Sequence, residues 1–111
     1  MPVRSVLYLP ALPGRQRDLT AVFERIDVLG HAMRQPGCLG VEVQIAPDAP
    51  DAPVLVTALW VDRAAYDGWL ANPWRAESAA ELAPLLRAEP GAGAVYDVVL
   101  ATDESTPAGS I

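Results

Sequence analysis

Lysine is absent from this chain of 111 residues, and all eight of its basic side chains are arginine. The 14 acidic residues outnumber them and give a formal net charge of −6. An acidic surface repels a phosphate backbone, and no segment carries a stripe of basic residues. We therefore expect no nucleic-acid partner.

Cysteine and histidine each occur once, as Cys38 and His31. A single cysteine forms no internal disulfide, and no metal-ligand spacing, glycine-rich dinucleotide motif or P-loop is present. We therefore expect neither a metal nor a bound cofactor. No apolar run approaches the roughly 18 residues of a membrane span. The apolar run at the N-terminus is short and broken by Pro10, so it does not indicate a signal peptide. These features predict a cytoplasmic protein that does not contact a membrane.

Hydrophobic residues are abundant by contrast, at 51% of the chain. A chain of this length folds as one domain and buries only about two-thirds of its unfolded surface. We expect one domain over residues 1–101 and a polar tail over 102–111. Contact between two copies would bury the surplus apolar surface, and this favours a homodimer.

Four segments have the β-branched, aromatic or alternating composition of strands: residues 3–9, 40–46, 54–61 and 94–100. The third segment is almost wholly apolar, which is typical of a strand covered on both faces. A short turn rich in proline and aspartate separates the second and third segments. These two strands are therefore predicted to form an antiparallel hairpin.

Apolar residues at spacings of three and four predict one amphipathic helix that starts after an N-cap at Asp18 and ends before Pro36-Gly37. Asp62 is predicted to cap a second helix, which Pro73 interrupts. A third helix is expected over residues 75–88, with a kink or an early end at Pro84.

The order β-α-β-β-α-α-β predicts the α+β class and the ferredoxin-like, split βαβ arrangement. A four-stranded antiparallel sheet would carry its helices on one face and leave the other face uncovered. A second copy would cover that face and form a dimeric α/β barrel.

Residues 35–73 resemble the antibiotic biosynthesis monooxygenase family, and with the flanking strands the resemblance extends over about residues 3–100. In that family a helix is followed by Pro-Gly-Cys, and an apolar strand ends in tryptophan. A capped Ala-Tyr helix closed by proline comes next. The matching residues here are Pro36, Gly37, Cys38, Trp60, Asp62, Ala65, Tyr66 and Pro73.

The resemblance implies a pocket between sheet and helices, with Trp60 and Tyr66 in it. The best-studied branch oxidises anthrone-like polycyclic polyketides with molecular oxygen and without metal, flavin or haem. That branch has an asparagine four residues before the tryptophan, where this chain has Val56, so one hydrogen-bond donor is missing. The haem-degrading branch uses a histidine where Trp74 stands here, and haem binding is therefore not predicted.

Three residues are candidates for catalysis. Trp60 would donate its indole N–H to a substrate oxygen, although it can equally be a core or dimer-packing residue. Tyr66 would orient the substrate. His31 would act as a general base, although the helical wheel favours a solvent-facing position for it.

The candidate substrate-binding residues are Tyr8, Trp69, Trp74, Arg75 and Tyr96. Tyr66 and Trp69 are three residues apart and share a helix face, where they form part of a slot for a planar ligand or an ordinary aromatic cluster. Arg75 would bind an anionic phenolate, or lie on the surface. The two strand tyrosines would reach the substrate or cover the core with a hydrated tip.

The leading hypothesis is a cofactor-independent oxygenase that uses molecular oxygen on a small aromatic substrate, a planar polycyclic polyketide intermediate of anthrone-like or phenolic type in bacterial secondary metabolism. A polyketide cyclase that uses the same pocket without oxygen is the first alternative. A non-catalytic dimeric α/β-barrel protein that binds a ligand is the second.

Overall fold

The computed structural model describes residues 1–102, so the tail predicted over 102–111 lies outside the described residues apart from Thr102. The elements, in chain order, are β1 (Val3–Leu9), α1 (Gln16–Arg25), α2 (Val28–Met33), β2 (Cys38–Gln44), β3 (Val54–Trp60), α3 (Arg63–Leu70), α4 (Trp74–Leu82), a 3-10 helix (Ala83–Leu85) and β4 (Ala94–Asp97).

The four strands form one antiparallel sheet in the order β2-β3-β1-β4. This confirms the predicted α+β class and the ferredoxin-like arrangement, with helices on one face of the sheet. Within the described part of a single chain the sheet stays open and does not close into a barrel. The predicted hairpin between the second and third strands is confirmed by the pairing of β2 with β3.

Strand alternation divides the sheet into two faces. On the helix-covered face Val3 lies opposite Trp60, and Ser5 lies opposite Ala58. On the other face, which we call the open face, Arg4 lies between Leu59 of β3 and Tyr96 of β4.

The apolar core consists of two clusters on the helix-covered face. One joins the ends of β1 and β3 to α1 and α4 through Leu9, Leu19, Phe23, Val54 and Leu82. The second joins the other ends of the same strands to α3 through Val3, Ala58, Trp60 and Tyr66. The second cluster positions the candidate site.

The prediction of one continuous first helix capped by Asp18 was wrong. The helix begins earlier, at Gln16, and Asp18 lies in its first turn, where it pairs with Arg15. The chain then breaks at Asp27, whose φ of 56° is left-handed. Aspartate tolerates this conformation, and its carboxylate accepts the Gly30 N–H at 3.2 Å, which starts α2 as a separate helix.

Several predicted boundaries also move. The first helical region ends at Met33, before Pro36-Gly37, and β2 occupies 38–44 instead of 40–46. The third strand stops at Trp60, and β4 covers only Ala94–Asp97 of the predicted 94–100. The break at Pro84 is confirmed, because α4 ends at Leu82 and a 3-10 helix follows.

Gly37, just before β2, lies in close contact with the start of α3. Its φ is 86°, a conformation that side chains disfavour. Its carbonyl accepts the Val61 N–H at 2.8 Å. A Cβ at this position would lie 2.6 Å from Ala65 Cβ and 2.8 Å from Val61 Cγ2. Only glycine therefore allows this close approach between the Pro-Gly-Cys segment and α3.

We predict that Gly37→Ala lowers the free energy of unfolding by about 2–4 kcal/mol, because backbone strain and overpacking add. Gly14→Ala is the matched control, since Gly14 also has a positive φ of 74° but no atom within 4 Å of the added Cβ. This control should lose only about 1–2 kcal/mol. Urea unfolding measures the free energy of unfolding of both variants. Equal losses in the two variants would contradict a tight contact between Gly37 and α3.

Candidate active site

A partly open cavity of about 480 Å³ lies between the helix-covered face of the sheet, α3 and the loop before β4. Its lining is mostly apolar. The lining residues are Ser5, Leu7, Val41, Val56, Ala58, Trp60 and Val95 from the sheet, Val28 and Ala32 from α2, Arg63, Tyr66, Trp69 and Leu70 from α3, Arg75 from α4, and residues 90–93 from the loop.

Trp60 is fully buried at the end of β3 and contributes to the cavity lining. Its indole N–H donates to Ser5 Oγ at 3.0 Å. The Tyr66 ring lies 5.8 Å away, tilted by 53°. The buried indole donor therefore has a protein partner in Ser5, whereas the sequence predicted a bond to a substrate oxygen.

Tyr66 and Trp69 lie on the cavity side of α3, as their spacing predicted. The helix starts at the predicted cap, because the Asp62 carboxylate accepts the Ala65 N–H at 2.9 Å. Tyr66 is buried, and Trp69 is half-buried. The cap fixes the start of α3, so both rings face the sheet one helical turn further on.

Trp74, His31 and Arg75 extend this aromatic group. The His31 and Trp74 rings stack with centroids 3.7 Å apart, and Trp74 lies 6.3 Å from Trp69. The Arg75 guanidinium lies 5.8 Å from the Trp69 ring centroid, within cation–π range. Of these three residues only Arg75 lines the cavity, and His31 and Trp74 pack behind its wall.

The structure does not bring Tyr8 and Tyr96 to the cavity. Tyr8 follows the cavity-lining Leu7 on β1 and points to the opposite side. Tyr96 pairs across from Arg4, and it also lies on the open face. The two tyrosines are 49% and 57% exposed, consistent with an uncovered sheet surface.

Ser5 and the loop over residues 90–93 were not predicted as site residues. Ser5 is only 8% exposed and stands in a row of apolar side chains on β1. Its position on the same face as Val3 was the available signal. In the loop, a Cβ at Gly93 would meet Tyr66 Oη at 3.0 Å and the Val6 carbonyl oxygen at 3.2 Å. The glycine lets the loop approach the tyrosine hydroxyl closely.

Residues 1–102 contain no group of three or more histidine, cysteine or carboxylate side chains placed to hold a metal ion. Over the same residues, no helix has the length and apolar character needed to cross a membrane. The expected absence of a cofactor stays a prediction.

The fold and the cavity define a class: a small ferredoxin-like domain with an aromatic-walled cavity between its sheet and its helices. The sequence profile described as antibiotic biosynthesis monooxygenase matches residues 2–75. The chain belongs to this family. The match includes the whole cavity lining except the loop and β4.

Solved structures share the fold at low sequence identity. Rv0793 from Mycobacterium tuberculosis is 16% identical, with a TM-score of 0.71 over 93% of this chain and 100% of that one. SnoaB, a cofactor-independent oxygenase from Streptomyces nogalater, is 23% identical, with a TM-score of 0.68 over 93% and 98%. A conserved protein from Methanosarcina mazei Go1 is 16% identical, with a TM-score of 0.70 over 86% and 91%. No curated protein sequence matches the chain.

Cys38 lies beside the site but is a poor nucleophile. Burial raises the pKa of its thiol, and contact with the Gly40 backbone offsets only part of that effect. The sulfur also lies 3.7 Å from Met33 Sδ. A raised pKa lowers the thiolate fraction at neutral pH.

We predict that iodoacetamide alkylates Cys38 more slowly in the folded protein than in the urea-unfolded chain at pH 8. The pH midpoint of the folded-state rate should lie above that of the unfolded chain, because the folded thiol holds its proton to higher pH. Mass spectrometry measures both rates. Equal rates would contradict the raised pKa.

Proposed function

We propose that this protein is a cofactor-independent oxygenase for a planar polycyclic aromatic substrate of anthrone-like or phenolic type. The observation that carries the proposal is the cavity. Its mostly apolar lining includes three aromatic side chains, and the side chain of Arg75 adds a positive charge. Membership of a monooxygenase family and the fold shared with SnoaB support the proposal.

The chemistry needs little from the protein. A deprotonated anthrone is electron-rich enough to pass an electron to oxygen. One oxygen atom then enters the product as the new carbonyl, and the other leaves as water with the two hydrogens of the substrate methylene. The protein binds the ring system, excludes water and stabilises the anion.

Each residue's proposed role follows from its position. Tyr66 and Trp69 contact the faces and edges of the planar ring, and the fully buried Trp60 packs behind them. Arg75 forms no ion pair with any residue in 1–102, so its charge is available to an anionic oxygen. His31 stacks behind the wall on Trp74, and we therefore propose no direct proton transfer between His31 and the substrate.

We predict that the wild-type protein consumes oxygen with the anthrone dithranol, one molecule per anthrone oxidised. Arg75→Leu should lower kcat/KM by about 10–100-fold, because it removes a charge-assisted contact with the anion. Arg25→Leu is the control, since Arg25 pairs with Glu81 on the surface. An oxygen electrode and absorbance at the product wavelength follow the reaction.

Equal activity of the Arg75 and Arg25 variants would refute the proposed contact between Arg75 and the substrate anion. Consumption of a polyketide substrate without oxygen uptake would favour a cyclase over an oxygenase.

We also propose that the protein acts as a homodimer joined through the open face. Apolar and aromatic side chains lie there in register, including Val6, Tyr8, Leu55, Leu59 and Tyr96. The Gln44 Oε1 atom on this face is buried without a hydrogen-bond partner among residues 1–102. A second sheet would cover the apolar groups, and Tyr8 and Tyr96 would then be contact residues.

Sedimentation equilibrium at micromolar concentration should give twice the mass of one chain. Leu59→Asp should shift the equilibrium to monomer, because it places a charge in the apolar contact. Ala80→Asp, on the exposed side of α4, should stay dimeric. A monomeric wild-type protein would refute the dimer.

A further inference from the structure

Ser5 is the polar side chain held at the sheet side of the cavity. It faces Ala58 on β3 and Val95 on β4, and both of these neighbours also line the cavity. The small alanine leaves space beside the serine hydroxyl. Ser5 is nonetheless 8% exposed, so the hydroxyl is almost entirely withdrawn from bulk solvent.

The hydrogen bonds of Ser5 show an unused donor. A serine hydroxyl has one hydrogen to donate and two lone pairs that accept. One lone pair accepts the indole N–H of Trp60. The hydroxyl hydrogen has no acceptor among residues 1–102. The hydroxyls of Thr20 and Ser78, by contrast, donate to the carbonyls of Arg17 and Arg75.

The bond from Trp60 also restricts the direction of the hydroxyl. The indole is fully buried, and its N–H occupies one side of Ser5 Oγ. The hydrogen of Ser5 is therefore directed away from the indole N–H, and the cavity that Ser5 lines lies within its reach. A hydroxyl that accepts one hydrogen bond is also polarised into a stronger donor for the next.

We infer that the Ser5 hydroxyl donates the hydrogen bond that stabilises the substrate oxyanion, and that Trp60 is a positioning residue acting through Ser5. This inference rests on the proposed function, because it needs a phenolic or enolic oxygen in the cavity. It reverses the sequence expectation, in which the indole N–H contacts the substrate directly.

A purely structural role for Ser5 makes a different prediction. If Ser5 only satisfies the buried indole N–H, its loss affects stability and leaves the ionisation of a bound phenol unchanged. If Ser5 contacts the oxyanion, its loss raises the pKa of a bound phenol, because the anion loses a donor while the neutral form loses little.

The experiment uses 1,8-dihydroxyanthraquinone, the product of dithranol oxidation, whose visible absorbance reports its ionisation. Binding and apparent pKa of the bound dye are measured with the wild type, Ser5→Ala, Ser5→Thr and Trp60→Phe. Thermal midpoints and oxygen uptake with dithranol are recorded on the same samples. Ser5→Thr keeps the hydroxyl on a residue that suits a strand.

The wild type should lower the pKa of the bound dye below that of the free dye. Ser5→Ala should bind the neutral dye almost as well, lose most of the pKa shift and lose about a hundredfold in kcat. Ser5→Thr should restore much of the pKa shift and much of kcat. Trp60→Phe should give a smaller loss than Ser5→Ala, because the donor remains but loses its fixed orientation.

The inference is overturned by a pKa shift of the dye that survives Ser5→Ala and disappears in Trp60→Phe, or by a wild-type protein that binds no dye. A loss of thermal stability in Ser5→Ala with no change in dye pKa also overturns it. The same measurements distinguish failure of the oxygenase proposal from failure of the Ser5 inference. A dye pKa shift that depends on Ser5, without oxygen uptake on dithranol, would support the Ser5 inference and refute the oxygenase.

Discussion

The antiparallel register between β1 and β3 determines where every later feature lies. It puts Ser5 opposite Ala58 and Val3 opposite Trp60, so the serine, the small alanine and the indole meet on one face. A slip of one residue would turn these side chains to the other face of the sheet. The buried hydrogen bond from Trp60 to Ser5 exists only in this register. The cavity and the open face are two consequences of one strand pairing.

The close contact at Gly37 completes the site from the other side. The glycine brings the start of β2 against Ala65 and Val61, and this fixes where α3 leaves the sheet. The Asp62 cap then determines the helix start, and Tyr66 turns toward Trp60. Several residues that carry the family resemblance thus hold the cavity in shape. Ser5 and Arg75, for which we propose contact with a substrate oxygen, lie outside that group.

Much of the fold was predictable because its signals are local. The short turn rich in proline and aspartate indicated the hairpin of β2 with β3, and the spacing of Tyr66 and Trp69 placed both rings on one side of α3. The break at Asp27 was missed because the apolar spacing continues across it, while a left-handed φ leaves no trace in that pattern. His31 was considered as a base without its partner, since stacking on Trp74 joins residues far apart in the chain.

The sequence by itself determined the order of the strands and helices apart from the break at Asp27, the cap at Asp62 and the end of α4 before Pro84. These depend on neighbours within a few residues, so backbone propensity and side-chain periodicity suffice. Only the tertiary structure decided that Tyr8 and Tyr96 lie away from the cavity and that Trp60 donates to Ser5. Ser5 and Trp60 are 55 residues apart, and their contact is created by strand register, which no local pattern encodes.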